Sequence, residues 1–144
     1  MIHFEINQRI GEKIARSWAD KIIKNVLTRV GVNNAEISIA FVNDCEIKKL
    51  NKQYRGKNKV TDVLSFIYQI PDTKYKIPLN GEIIICYPQA VRQAKEGGHS
   101  VEEEIKLLLV HGLLHLCGYD HEKSLKEAKK MENLQSQIVK LSNC

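Results

Sequence analysis

The feature that most constrains this chain is an eleven-residue segment in which three histidines follow a fixed spacing. His111 and His115 are four residues apart, and His121 follows after Gly118. Residues four apart share one face of a helix, so the first two imidazoles can approach a single metal ion. Gly118 can take the left-handed conformation that ends a helix and turns the chain back, which would bring the third histidine to the same ion. Three nitrogen ligands with one open position are typical of a catalytic zinc site, here with one Zn²⁺ per chain.

Two other interpretations of the histidines stay open. A histidine pair on an apolar helix is often a packed, hydrogen-bonded part of the core, and a surface pair can bind zinc adventitiously. The third histidine favours a genuine site. Glu104, about two turns before His111, could orient a ligand histidine or cap the helix. Asp120 could do the same for His121 or satisfy the turn.

The same histidine spacing occurs in the metzincin proteases, with one difference. Their pattern His-Glu-x-x-His-x-x-Gly-x-x-His includes a glutamate that acts as general base on zinc-bound water. Gly112 occupies the position of that glutamate and has no side chain. Peptide hydrolysis by that mechanism is therefore not expected. The base must come from elsewhere, or the substrate must need none.

The hydrophobic pattern predicts an α+β fold, with a mixed sheet of about four strands packed with helices and the metal-binding helix near the C-terminus. A chain of 144 residues suits one domain, residues 1–144. The predicted strands are 2–7, 35–42, 61–68 and 82–87, and the predicted loops are 52–60 and 71–80. The predicted helices are 10–30, a short helix capped by Asn43, a third from Pro88 to Gly97, the histidine helix capped by Ser100, and 122–141.

The positive charge of the chain is concentrated in one segment. The net charge is +5, and residues 51–80 hold six Lys or Arg against two Asp. Such a patch indicates an anionic partner such as nucleic acid, although a solvated lysine-rich loop is the alternative. Within the patch, Arg55 can hold a phosphate with two parallel hydrogen bonds, or it could pair with Asp62. Tyr54 can stack on a base.

The sequence also predicts a cytoplasmic protein without a membrane partner. No run of about 18 apolar residues occurs, and residues 2–7 lack the pattern of a signal peptide. The four cysteines show no CxxC spacing, so we expect reduced thiols. Cys117, beside the histidines, is not expected to bind the metal.

Two blocks of the sequence resemble the YbeY family of endoribonucleases, also called rRNA maturation factors. The family pattern His-Gly-x-Leu-His-Leu-x-Gly-Tyr-Asp-His is met from His111 to His121. The upstream pattern Asn-x-x-Tyr-Arg-x-Lys-x-x-x-Thr-Asp-Val-Leu-Ser-Phe is met from Asn51 to Phe66. The segment 81–86 resembles the family's Gly-Asp/Glu-Ile strand, and 128–132 its Met-Glu close. The likeness runs over about residues 50–132, and the first fifty residues fit only in pattern.

The resemblance implies a zinc-dependent, single-strand-specific endoribonuclease that acts in 16S rRNA 3′-end maturation and ribosome quality control. It implies zinc on His111, His115 and His121, and a requirement of activity for Arg55. The basic segment, with Lys52, Tyr54, Lys57 and Lys59, then becomes a candidate RNA contact. The implied partners are RNA, in particular small-subunit rRNA, and the ribosome. A ribosome assembly factor with a mainly structural metal and a metal-dependent hydrolase of small substrates are the rival functions.

Overall fold

The computed structural model describes residues 1–72, 74–119 and 125–141, and it contains four strands and five helices within them. The strands are β1 (Ile2–Gln8), β2 (Ala35–Val42), β3 (Val63–Gln69) and β4 (Leu79–Cys86). The helices are α1 (Arg16–Arg29), α2 (Asp44–Arg55), α3 (Tyr87–Gly97), α4 (Val101–Leu116) and α5 (Leu125–Leu141).

The four strands form one mixed sheet in the order β1-β2-β4-β3. Strands β1, β2 and β4 run parallel, while β3 pairs antiparallel with β4 and forms an edge of the sheet. The predicted α+β class and the mixed four-stranded sheet are therefore confirmed. The position of β3 matters for function because an edge strand leaves backbone carbonyls available to other partners.

The two faces of the sheet are covered unequally. Helices α1, α3, α4 and α5 contribute buried residues to a large cluster on one face, which includes Ile83 and Ile85 of β4. A small second cluster lies on the other face, where Ile47 of α2 packs against Ile84 and its neighbours. Burial of apolar surface at about 25 cal/mol per Å² makes the larger cluster the main source of stability.

Three predicted segments differ from the structure. Strand β4 begins at Leu79, inside the predicted loop 71–80 and before the predicted strand start at residue 82, because Leu79 and Asn80 already pair with β2. Helix α1 begins at Arg16 rather than at residue 10, because the side chain of Gln8 holds the preceding segment as a loop. Its Oε1 accepts from the backbone N–H of Ile14 at 2.9 Å, and its Nε2 donates to the carbonyl of Ile10 at 3.2 Å. The predicted loop 52–60 is also wrong in its first part, since α2 continues through Arg55 and ends at Gly56.

The last helix of the structure starts at Leu125, and the preceding residues of the predicted 122–141 helix lie outside the described part. None of the described helices combines the length and the apolar character needed to cross a membrane.

Candidate active site

The first two histidines of the motif lie one turn apart on α4 and point their outer nitrogens at each other. The Nε2 atoms of His111 and His115 are 3.1 Å apart, and the ring centroids are 4.7 Å apart at an interplanar angle of 71°. Two nitrogens bound to one tetrahedral zinc at about 2.0–2.1 Å are separated by roughly 3.3 Å. The pair is therefore already spaced as two ligands of one ion would be.

The other nitrogen of His111 has a partner on α5. Its Nδ1 lies 2.9 Å from Oε1 of Gln135, a contact that sequence analysis did not predict. Because an amide oxygen only accepts, this contact is a hydrogen bond when Nδ1 carries the proton. In the neutral ring, Nε2 then keeps the lone pair that a metal requires.

Helix α4 ends as the motif predicts. The N–H of Tyr119 donates to the carbonyl of Leu114, and the N–H of Gly118 donates to that of His115, both at 3.0 Å. Gly118 has φ +97°, the left-handed value that favours glycine at this position. This bond pattern satisfies the last carbonyls of the helix and redirects the chain.

The third predicted ligand, His121, lies outside the described residues, as does Asp120. Within the described ranges no group of three His, Cys, Asp or Glu side chains could hold a metal. The three-histidine site and its zinc thus stay a prediction, supported by the geometry of the first two ligands. Cys117 packs against the main core, and burial raises the pKa of its thiol to about 12.

Gly112 is explained by close packing of α4 on the sheet. A Cβ at this position would lie 2.9 Å from Cγ2 of Ile83 and 3.2 Å from Oγ of Ser65. Position 112 therefore faces the sheet, where a glutamate would have no room. The missing glutamate is consistent with the expectation that this chain does not follow the metzincin mechanism.

Arg55 is connected to α4 through one serine of the edge strand. Its Nη2 donates to the carbonyl of Ser65 at 3.1 Å, and the Ser65 hydroxyl donates to the carbonyl of Gly112 at 3.3 Å. The alternative pairing of Arg55 with Asp62 is not what the structure shows. Asp62 instead accepts from the N–H of Val63 and from Nε2 of Gln93.

Arg55 and the two histidines line one cleft of about 770 Å³, which we call the basic cleft. Its described lining residues are Asn51, Arg55, Lys57, Lys59, Thr61, Asp62, Val63, Leu64, Ser65, Ile67, His111, His115, Gly118 and Tyr119. Three cations and one acid among these residues give the cleft a positive charge. A phosphodiester is the kind of ligand that such a cleft attracts.

The other two predicted RNA contacts lie apart from this lining. Lys52 is an exposed residue of α2. Tyr54 is 58% exposed and packs edge-on against Phe66, with ring centroids 5.1 Å apart. The structure therefore brings Lys57 and Lys59 together with Arg55 and the histidines, but it does not place Lys52 or Tyr54 in the cleft.

A buried asparagine holds the two lysines in place, a role that sequence analysis did not predict for Asn51. The side chain of Asn51 donates to the carbonyl of Lys59 at 3.0 Å, and its backbone carbonyl accepts from the N–H of Lys57. Asn51 is only 3% exposed. Its position four residues after the buried Ile47 on one helix face was the available signal.

Glu104 neither contacts a predicted ligand histidine in the described residues nor caps α4, the two roles considered for it. Its carboxylate accepts from Nε2 of Gln93 at 3.2 Å and contacts Nε2 of His99 at 2.9 Å. The N-terminus of α4 is capped by Ser100, as predicted, whose hydroxyl accepts from the N–H of Glu103. Since Gln93 also donates to Asp62, these contacts join the wall of the basic cleft to α3 and α4.

Comparison with known proteins gives one family over nearly the whole chain. The family model described as Endoribonuclease YbeY matches residues 1–143. The chain belongs to the YbeY family. It is 43% identical over 134 residues to the endoribonuclease YbeY of Persephonella marina, an alignment that covers 92% of this chain and 88% of the relative. It is 46% identical over 127 residues to that of Aquifex aeolicus, with 88% and 83% covered.

A solved structure supports the YbeY fold of this chain. The solution structure of a Thermotoga maritima protein has a TM-score of 0.64 and is 29% identical, covering 99% of this chain and 89% of its own. The likeness to the YbeY family, which the two motifs predicted for residues 50–132, is therefore confirmed and extends into the first fifty residues.

Proposed function

We propose that this chain is a zinc-dependent endoribonuclease specific for single-stranded RNA. His111, His115 and His121 would hold one zinc ion, and Arg55 would act on the scissile phosphate. The observation that carries the proposal is the shared cleft, in which Arg55 and the paired imidazoles meet beside Lys57 and Lys59. Membership of a family of endoribonucleases supports the same activity.

Besides a base, the chemistry needs charge neutralisation, positioning of the strand and Lewis acidity, and the chain's own side chains offer the first two of these three. Arg55, held by Ser65, would neutralise charge that grows on the phosphate in the transition state. Lys57 and Lys59 would position the strand through its phosphates. Zinc bound to the imidazoles would supply Lewis acidity.

We assign no residue as the general base. Packing against the sheet leaves no room for a side chain at position 112, and Asp62 is the one carboxylate in the described cleft lining. RNA carries its own nucleophile in the 2′-hydroxyl, so a weak or distant base could suffice. A 2′,3′-cyclic phosphate at the product end would indicate internal attack. A 3′-hydroxyl with a 5′-phosphate would indicate attack by water.

The cellular role we propose is maturation of the 3′ end of 16S rRNA and ribosome quality control, in the cytoplasm and with the ribosome as partner. It rests on the resemblance of the two sequence motifs and on the family.

The test compares three variants with the wild type, by metal analysis and by cleavage of a labelled RNA that ends in the 16S rRNA 3′ region. Arg55→Ala should keep about one zinc per chain and lose cleavage by about 100-fold or more. His115→Ala should lose both. Arg9→Ala is the control, since Arg9 pairs with Glu46 at 2.7 Å outside the basic cleft.

Two outcomes would contradict the proposal. Equal cleavage by the wild type and Arg55→Ala would indicate a contaminating nuclease. A folded His115→Ala protein that fully supports rRNA processing would favour the assembly factor with a structural metal.

A further inference from the structure

The hydrogen bond between α5 and the first histidine carries an inference that rests on the proposed function and deepens it. We infer that Gln135 is a positioning residue that sets the tautomer of His111 and so prepares its Nε2 atom for the metal. Neither sequence motif includes Gln135, and it comes from a helix that contributes no ligand of the predicted set.

The packing of α5 fixes where Gln135 lies. Met131, four residues earlier, and Ile138, three residues later, are each 1% exposed and belong to the main core. Residues at these spacings share one face of a helix. Gln135 is therefore on the face of α5 that packs inward, and its amide is held next to His111 by the helix itself.

The direction of the hydrogen bond decides which nitrogen of His111 carries the proton. Oε1 of Gln135 can only accept, so the Nδ1 of His111, 2.9 Å away, must donate. A neutral imidazole has one N–H, which leaves the lone pair on Nε2. The Nε2 of His115, 3.1 Å from that lone pair, then donates to it while no metal is bound.

Loss of the acceptor would remove this preference. Either nitrogen of His111 could then carry the proton, and a fraction of the molecules would present an N–H to the metal. The ring would also lose its hydrogen bond to α5, one of the contacts that orient it. Removing such an outer partner of a ligand histidine typically weakens metal binding by about 10–100-fold.

The chain offers a matched control on the same helix. Gln137, two residues later, accepts from Nη2 of Arg29 at 2.7 Å in an exposed hydrogen bond. Gln137→Leu makes the same chemical change as Gln135→Leu without touching His111. Gln135→Glu is the conservative variant, because a carboxylate is also an acceptor.

Two measurements test the inference. Nitrogen NMR of the zinc-free protein, at a pH well above the ordinary histidine pKa of about 6.5, reports the tautomer of His111. Competition with a chromophoric chelator reports the zinc dissociation constant. We expect the Nδ1–H tautomer in the wild type, in Gln135→Glu and in Gln137→Leu, all with similar zinc affinity. Gln135→Leu should show mixed tautomers and about 10–100-fold weaker zinc binding.

The outcomes separate this inference from the proposed function. A wild-type His111 protonated on Nε2, or equal zinc affinity of Gln135→Leu and the wild type, would overturn the role of Gln135 alone. A wild-type protein that binds no zinc would overturn the proposed function as well. Circular dichroism of Gln135→Leu checks that the variant is folded, and if it is not, the tautomer of His111 in the wild type still tests the inference.

Discussion

The two faces of the sheet hold core clusters of different size, and the two openings beside them are lined by charges of opposite balance. The α4 face holds the main core and opens at β3 into the basic cleft. The α2 face holds the smaller cluster and opens into a groove of about 420 Å³, which we call the acidic groove. Its described lining residues are Glu5, Ile6, Asn7, Arg9, Ser38, Ile39, Ala40, Val42, Glu46, Leu50, Glu82 and Ile84.

The candidate chemistry is built on α4, a helix that is also part of the main core. Val110 and Leu114 of α4 are fully buried and stand next to His111 and His115 in sequence. The imidazoles are thereby fixed by the core rather than by a loop, which holds ligands to a defined geometry. The described lining of the groove holds three acids and one cation, the opposite balance to that of the basic cleft.

The largest effect we predict comes from two adjacent residues of β4 that point to opposite faces. Ile83 is fully buried in the main core, while Ile84 belongs to the small cluster and lines the acidic groove. Replacing a buried isoleucine by alanine costs about 2–5 kcal/mol. Ile83→Ala should fall near the upper end and Ile84→Ala near the lower end, measured by urea unfolding.

An equal loss in the free energy of unfolding for Ile83→Ala and Ile84→Ala would contradict the difference between the two faces. A double variant tests the same face further, because the side chain of Ile83 fills the space next to Gly112. Gly112→Ala should be clearly less destabilising in the Ile83→Ala background than in the wild type, because the methyl then has room.

A smaller effect concerns the charge difference between the two openings. Lys57→Gln and Lys59→Gln in the basic cleft should each weaken binding of single-stranded RNA. Each should also reduce the slope of log K against log salt by about 0.7, the value expected when a protein neutralises one phosphate fewer on a single strand. Binding titrations at several salt concentrations measure both quantities.

Glu5→Gln, in the acidic groove, provides the comparison for the lysine variants. It should leave the slope unchanged, because the groove binds no phosphate in our proposal. A slope that changes equally for Glu5→Gln and Lys57→Gln would show that only the net charge matters. Lys52→Gln, measured in the same way, tests whether Lys52 contacts RNA, since the structure places this residue outside the cleft lining.

The parts predicted from the sequence depend on local pattern. Periodicity located the four strands, and capping chemistry located α4 through Ser100 and Gly118. The start of α1 was missed because the loop before it is held by Gln8 from β1, a contact that apolar periodicity does not reveal.

Two missed contacts of the candidate site join elements that are distant in sequence. Gln135 meets His111 across 24 residues, and Ser65 meets Gly112 across 47. No spacing rule connects such residues, since the connection is made by the packing of α4 on α5 and on the sheet. The motif therefore predicted where the first two imidazoles converge, while the residues that orient them required the fold.

The smallest effect we predict is a pH-dependent one at the rim of the α4 face. The hydrogen bond to Glu104 raises the pKa of His99 above its ordinary value, an effect that partial burial opposes. A raised folded-state pKa stabilises the fold fully below the unfolded value of about 6.5, and this stabilisation fades as the pH rises through the folded value. His99→Gln should therefore lower the free energy of unfolding most at about pH 5–6 and least at alkaline pH. Urea unfolding over a pH series, with the exposed His3→Gln as control, measures the difference. A deficit that stays constant with pH would show that His99 contributes through packing, and the charge of this rim would then play no part in holding α3 against α4.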